Sequence, residues 1–138
     1  MTAEQIRRLR KSFRLLEREA EVAAPLFYQQ LLVMNPELKP LFKTDVELQA
    51  LKLMQMLGGV LDLLDYPLEM EATLEELGAR HAGYGVRPRH YSAVGTALIG
   101  MLERVLTVDF TAETRQAWVA LYHLVAGKML GGAAHAPC

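Results

Sequence analysis

Apolar residues recur at spacings of three and four along nearly the whole chain, and this period predicts helix after helix. Thr2 and Gln5 have the spacing of a capping box. Ile6, Leu9, Phe13 and Leu16 then carry a first helix to about Glu19. A second begins near Glu21 with Val22, Leu26, Phe27, Leu31 and Met34 on its apolar face. Pro25 falls in its first turn and Tyr28 lies on or beside that face. Asn35-Pro36 caps a short third helix ending near Phe42. Thr44 with Glu47 opens a fourth, to about Asp65, whose inner stripe reads Val46, Gln49, Leu53, Met56, Leu57, Val60 and Leu64. The Gly58-Gly59 pair inside it predicts a close backbone crossing at that point. After the break at Tyr66-Pro67 a helix runs from about Leu68 to His81. Another, from about Arg89 to Leu106, carries Tyr91, Val94, Gly95, Leu98, Met101, Leu102 and Val105. Asp109 and Thr111 precede a last helix with Trp118, Leu121, Tyr122, Val125 and Met129 on one face. No stretch alternates with period two, so the expected class is all-α, about seven helices in one domain. That domain covers residues 1–130, and 131–138 read as a frayed tail.

One position breaks the apolar pattern. Leu74, Leu77, Gly78 and His81 share a helix face, so an imidazole stands where a core leucine is expected. Gly83, Gly85 and Pro88 stop the helix directly afterwards. One ring nitrogen of His81 can donate to the Leu77 carbonyl four residues back, which fixes the tautomer and leaves the other for a ligand. A satisfied core histidine is the alternative on the residues alone. Gln49 is the second anomaly, an amide on an apolar stripe. If the two helices are neighbours, Tyr28, Phe42, Leu53, Val86, Val94 and Leu98 complete an apolar slot between amide and imidazole. Such a slot suits a flat, iron-bearing cofactor, since haem needs an axial imidazole and an apolar pocket.

Charge and cysteine usage narrow the partners. The formal net charge is −1 and the basic residues are spread along the chain, so no field favours nucleic acid or an anionic membrane. The longest apolar run, Leu51 to Leu64, is too short to span a bilayer. The charged N-terminus is not a signal peptide. The single cysteine, Cys138, allows no intrachain disulfide. The expectation is a soluble cytoplasmic protein.

Several motifs carry a resemblance: Pro25-Leu26-Phe27-Tyr28, Asn35-Pro36-Glu37-Leu38, Leu41-Phe42, Leu77-Gly78-Ala79-Arg80-His81-Ala82-Gly83-Tyr84-Gly85-Val86, His90-Tyr91-Ser92-Ala93-Val94-Gly95 and Ala117-Trp118 through Tyr122. Together, in order and from about residue 4 to 130, they are similar to the bacterial single-domain globins and the haem domain of flavohaemoglobins. The resemblance implies a globin fold around haem b (iron protoporphyrin IX). It implies His81 as the proximal iron ligand and Phe42 as the aromatic wedged against the haem. Tyr28 and Gln49 match the distal pair, Leu53 the apolar residue over the iron, and Tyr91 the tyrosine near the proximal histidine. Tyr84 is expected against the following connection or the haem edge, and Arg87 beside a propionate. Met54 and Met56 flank the distal face as alternative sixth ligands. His90, at a helix start, is expected to be solvated.

The implied ligands are dioxygen, nitric oxide and carbon monoxide. Hydrogen bonds from Tyr28 and Gln49 to the outer oxygen of a dioxygen ligand contribute about 1–3 kcal/mol each. Two slow its release by roughly two orders of magnitude, which suits a scavenger, sensor or oxygen chemist better than a carrier. Nitric oxide dioxygenation is one expected activity. No reductase domain follows within these residues, so a separate reductase is expected. The alternative is a gas or redox sensor acting through a partner protein. The region matching the family's proximal glutamate reads Leu130-Gly131-Gly132-Ala133, without a carboxylate. That weakens the expectation of a peroxidase-like push from below the iron and leaves the role of Tyr91 open. A monomer or weak homodimer is expected.

Overall fold

The computed structural model describes residues 1–41 and 46–134. The expectations for Phe42, for the Thr44 cap and for Cys138 lie outside the described residues. Among the described residues six α-helices follow one another: α1 (Ala3–Glu17), α2 (Ala20–Met34), α3 (Val46–Asp62), α4 (Pro67–Gly83), α5 (Pro88–Leu106) and α6 (Ala112–Ala134). Short 3-10 turns at Pro36–Leu41, Leu63–Asp65 and Thr107–Asp109 join them. Among the described residues there is no strand.

The helix ends have local causes. The Gln5 N–H donates to Thr2 Oγ1 (3.1 Å) and the Thr2 N–H to Gln5 Oε1 (3.0 Å), a full capping box at the start of α1. Helix α2 begins at Ala20, so Pro25 sits in its second turn rather than its first. Its missing N–H leaves the carbonyl of Glu21, an exposed residue, without its helical donor. Pro36 and Pro40 hold the next segment to a tight 3-10 turn. Pro67 and Pro88 open α4 and α5, where a missing N–H costs nothing. Thr111 Oγ1 accepts from the Thr114 N–H (3.2 Å) at the start of α6. That helix runs on through Gly131 and Gly132 to Ala134, so 131–134 are helix and not tail.

The helices pack as two linked sets. Helix α2 lies against α3 and α5, α1 against α6, and the most extensive pairing is α4 with α6. Glycine makes that last pairing possible. A Cβ on Gly78 would fall on the Met129 backbone carbonyl, and one on Gly132 on the Glu75 carbonyl. The crossing expected at Gly58-Gly59 is not there. A Cβ on Gly58 would touch only the Phe13 ring, at 3.4 Å, and one on Gly59 meets nothing. Trp118 of α6 is fully buried, and its Nε1–H donates to Ser12 Oγ of α1 at 2.8 Å. Ser12 Oγ donates in turn to the Arg8 carbonyl at 2.6 Å, so this polar link is satisfied throughout.

Segment Pro88–Asp109 is long and apolar enough to cross a membrane by length and composition. Here α5 is a core helix, with Ala97, Leu98, Met101 and Leu102 buried against its neighbours. The apolar interior divides into two clusters. A large one is built from α1, α2, α3, α5 and α6, and a smaller one from Met70, Leu74, Tyr91 and Met129. A cavity separates them.

Candidate functional site

The cavity has a volume of about 230 Å³ and walls from five helices. Tyr28 and Leu31 come from α2, Leu53, Met56 and Leu57 from α3. Leu74, Leu77 and His81 come from α4, Val94 and Leu98 from α5, and Trp118, Leu121 and Met129 from α6. The cavity lining is mostly aliphatic and aromatic with a few polar groups, the composition of a site for a largely apolar ligand.

The polar groups of the wall can be accounted for one by one. His81 is half-buried, and its Nδ1–H donates to the Leu77 carbonyl at 2.8 Å; a carbonyl can only accept, so this nitrogen carries the proton. The Nε2 lone pair of the neutral ring is thereby left for a ligand. Just beyond, the backbone folds back over the helix end. Gly85 takes φ +87°, a left-handed conformation, and the Val86 N–H returns to the His81 carbonyl at 3.0 Å. Val86 is thus placed in the wall beside the imidazole.

His90 was expected to be solvated but is 2 % exposed, and it too lines the cavity. Its Nδ1 accepts from the Arg87 N–H (2.9 Å), which leaves its Nε2–H to donate to Glu37 Oε1 (3.1 Å). No lone pair remains on that ring, so of the two histidines that line the cavity among the described residues, His81 is the one that can ligate. Glu37 also pairs with Arg89 at 3.3 Å. The carboxyl of Glu37 is held below its ordinary range by a bond to its own backbone N–H and then by His90 and Arg89. This chain of contacts ties the turn after α2 to the start of α5.

Tyr122 donates its hydroxyl proton to the Tyr91 carbonyl. The Tyr91 hydroxyl is itself buried without a partner in the protein. An orphaned phenol and an available imidazole nitrogen therefore face one apolar space. Among the described residues no three His, Cys, Asp or Glu side chains cluster as a metal site. A metal here would take one protein ligand and its remaining ligands from an organic frame, which fits a macrocycle and not a protein-only cage.

Burial raises the pKa of Tyr28, of Tyr91 and most of all of Tyr122, where the neighbouring Tyr91 adds to it. All three stay protonated donors at neutral pH. The unfolded chain releases these protons near pH 10 while the folded chain keeps them. Their contribution to stability is full below pH 10 and is lost as pH rises through the raised values. A titration of tyrosinate absorbance is expected to show three of the five tyrosines lagging and then ionising as helical circular dichroism collapses. Ionisation of all five before any loss of ellipticity would contradict it.

The structure brings His81, Tyr28, Leu53, Val86, Tyr91, Val94 and Leu98 together in one wall. Gln49 is half-buried, one turn before Leu53 on α3, and is not among the lining side chains. Tyr84 is 68 % exposed and Arg87 is exposed. Both lie on the 84–87 connection outside the wall, because α4 ends at Gly83 and the turn throws them outward. Met56 lines the cavity, whereas Met54 packs on the larger core cluster. Sequence reasoning missed His90, Tyr122 and Trp118 as wall residues. His90 has a signal in hindsight, since it stands four residues before Val94 and eight before Leu98 on the same face of α5.

The globin family model matches residues 26–129. The flavohemoprotein of Vibrio cholerae is 26% identical over 129 residues, covering 91% of this chain and 33% of that protein. The chain thus spans about a third of the length of that relative. Neuroglobin of Tetraodon nigroviridis is 35% identical over 81 residues, 59% of this chain and 51% of that one. Among solved structures, a hexacoordinated heme protein from an anhydrobiotic tardigrade superposes with a TM-score of 0.82 at 19% identity, covering 98% of this chain and 96% of that one. The bacterial globin of Campylobacter jejuni gives 0.78 at 21% identity, with 96% of each chain covered. With helices packed pairwise about a pocket and the family model covering most of its length, this chain belongs to the globin family.

Proposed function

We propose that this globin holds haem b in the cavity between its two core clusters, where His81 Nε2 would ligate the iron, and that the loaded protein binds dioxygen, nitric oxide and carbon monoxide. The observation that carries this reading is the bond from His81 Nδ1–H to the Leu77 carbonyl, which presents one lone pair to an apolar space. Haem, when bound, supplies a ferrous iron with a position for a diatomic gas. The protein's own residues do the rest. The Leu77 carbonyl holds the imidazole in one tautomer. It is a weaker acceptor of that proton than a carboxylate, so it adds less electron density to the ring. Leu53, Val94 and Leu98 exclude water from the space. Tyr28, kept protonated by burial, offers its hydroxyl hydrogen to a ligand, and Gln49 is proposed as the second donor. Arg87 and Tyr84, at the solvent side of the connection, are proposed to border the exposed edge of the cofactor, and Phe42 to pack on its face.

Combining nitric oxide with dioxygen to give nitrate consumes one electron. On this reading that electron comes from a separate reductase. The cytoplasm is the proposed place of action, as a monomer or weak homodimer.

Absorption spectra of the purified protein test the reading in the ferric state, after dithionite, and with carbon monoxide added. An intense Soret band that shifts on carbon monoxide binding is expected. No Soret band even after haem is supplied would overturn it. A second prediction concerns the distal donors. Tyr28→Phe and Gln49→Leu are each expected to speed dioxygen dissociation by about tenfold, one hydrogen bond's worth. Stopped-flow displacement by carbon monoxide measures it, and equal off-rates in all three proteins would remove both residues from ligand contact.

A further inference from the structure

The near-zero net charge of the chain conceals an asymmetry on its surface. Residues 1–18, which are α1 with its caps, hold six of the fifteen basic side chains and two of the sixteen acidic ones. The even spread of basic residues expected for the chain does not hold at this end. Arg7, Lys11, Arg14 and Arg18 follow one another at spacings of four, three and four. They form one exposed row, about 16 Å long at the rise of a helix. Arg7 and Arg8 pair with Glu4, and Arg10 on the flank pairs with Asp65. Lys11, Arg14 and Arg18 pair with no carboxylate among the described residues. Three uncompensated cations in a line attract an anionic surface. The inner face of α1 leads to the cavity. Ser12 is 3 % exposed and accepts the Trp118 Nε1–H at 2.8 Å, and Trp118 borders the cavity. One hydrogen bond and one indole thus join α1 to the cavity wall, and electrons tunnel further through bonded, packed atoms than through a gap.

We propose that α1 is the docking surface for an acidic one-electron donor protein, with the donor's carboxylates on the Lys11, Arg14 and Arg18 row and its electron passing by way of Ser12 and Trp118; this rests on the reading of the cavity as a haem pocket. The donor loses one electron and the ferric iron of bound haem gains it, with no covalent bond formed or broken. A protein suits the row better than an extended polyanion. Beyond residue 18 the chain carries fourteen acidic and nine basic residues, a surplus that repels duplex DNA or a charged membrane. A carboxylate patch as short as the row meets the cations without that repulsion, since charges further off than about 10 Å are screened at moderate salt.

The test uses reduced plant-type ferredoxin, an acidic iron–sulfur protein of low potential, as the donor. Anaerobic stopped flow under carbon monoxide follows the Soret band of the ferric, haem-loaded protein as it becomes ferrous. Lys11→Glu/Arg14→Glu/Arg18→Glu is expected to slow the second-order rate by about tenfold or more at low salt. Salt of about 0.5 M is expected to remove the difference. Arg14→Glu alone is expected to slow it by about threefold. Lys39→Glu, the same charge change on the exposed Pro36–Leu41 turn, is expected to leave it unchanged. Ser12→Ala is expected to lower the rate reached at saturating ferredoxin and to keep the wild-type salt dependence. Calorimetric titration with oxidised ferredoxin reads the docking alone, and the α1 variants are expected to lose affinity in the same order. Lys11→Gln/Arg14→Gln/Arg18→Gln, expected between wild type and the reversed variant, keeps the proposal falsifiable if the latter does not fold. Equal rates and affinities in wild type and the α1 variants, or an equal loss in Lys39→Glu, would overturn the surface while dithionite and carbon monoxide still give a ferrous spectrum. So would binding of duplex DNA or anionic vesicles that the reversed variant loses, with ferredoxin reduction unchanged. An unchanged saturating rate in Ser12→Ala would overturn the route through Trp118. A protein that takes up no haem would overturn the pocket reading, and the electron's destination with it.

Discussion

Replacing His81 with alanine is expected to speed haem loss by roughly a hundredfold or more, since each 1.4 kcal/mol of lost binding is about tenfold. The structure provides the reason. Two histidines line the cavity, but the ring nitrogens of His90 are both engaged, by the Arg87 N–H and by Glu37. Among the described cavity histidines only His81 has a nitrogen left: its Nδ1–H donates a hydrogen bond to the Leu77 carbonyl, and its Nε2 has no protein partner. Transfer of haem to a competing acceptor protein measures the rate. Added imidazole is expected to restore a histidine-like spectrum in His81→Ala, since the alanine leaves room for it. His90→Ala is the contrast: it should keep the axial bond while loosening the start of α5. The opposite pattern, with His90→Ala losing the native spectrum and His81→Ala keeping it, would exchange the two assignments.

The second large effect is on stability. Gly78→Ala is expected to lower it by about 3 kcal/mol, the upper end for overpacking. The new methyl would meet the Met129 backbone carbonyl and not a side chain that can turn away. Thermal unfolding should show a midpoint lower by about 10 °C for a chain of this size. Gly132→Ala acts on the other face of the same crossing and should behave alike. Gly59→Ala makes the opposite prediction. It adds a methyl with nothing within 4 Å on a helix, and should gain about 1 kcal/mol from helix propensity alone. A Gly78→Ala protein as stable as wild type would mean that α4 and α6 are further apart than described.

These glycines also show what the sequence conveys and what it withholds. The helices were legible because a core face repeats every three or four residues whatever it packs against. Their ends were legible where the cause was local, as with Thr2 and Gln5. Glycine is ambiguous at that level. Gly58-Gly59 looks like a contact and makes only a light one, while Gly132, in what looks like a fraying end, lies directly against the Glu75 backbone of α4. The difference lies in the partner helix, which no local pattern contains. His81 was legible for the same reason the helices were, as a polar residue in an apolar register. His90 was not, because Pro88 and Arg89 beside it read as a solvated helix start and its partner Glu37 lies 53 residues away. Tyr122 was visible as a core residue of α6, but the seat of its ring depends on Gly95 of another helix.

Trp118 has a consequence of an optical kind. It is the chain's single tryptophan, it is wholly shielded from solvent, and its ring borders the cavity. Its emission is therefore expected to be blue-shifted, and to lie within energy-transfer distance of a porphyrin placed there. The protein carries its own loading gauge. Titrating in haem should extinguish that one emission in proportion to occupancy, and the slope gives stoichiometry and affinity without a label.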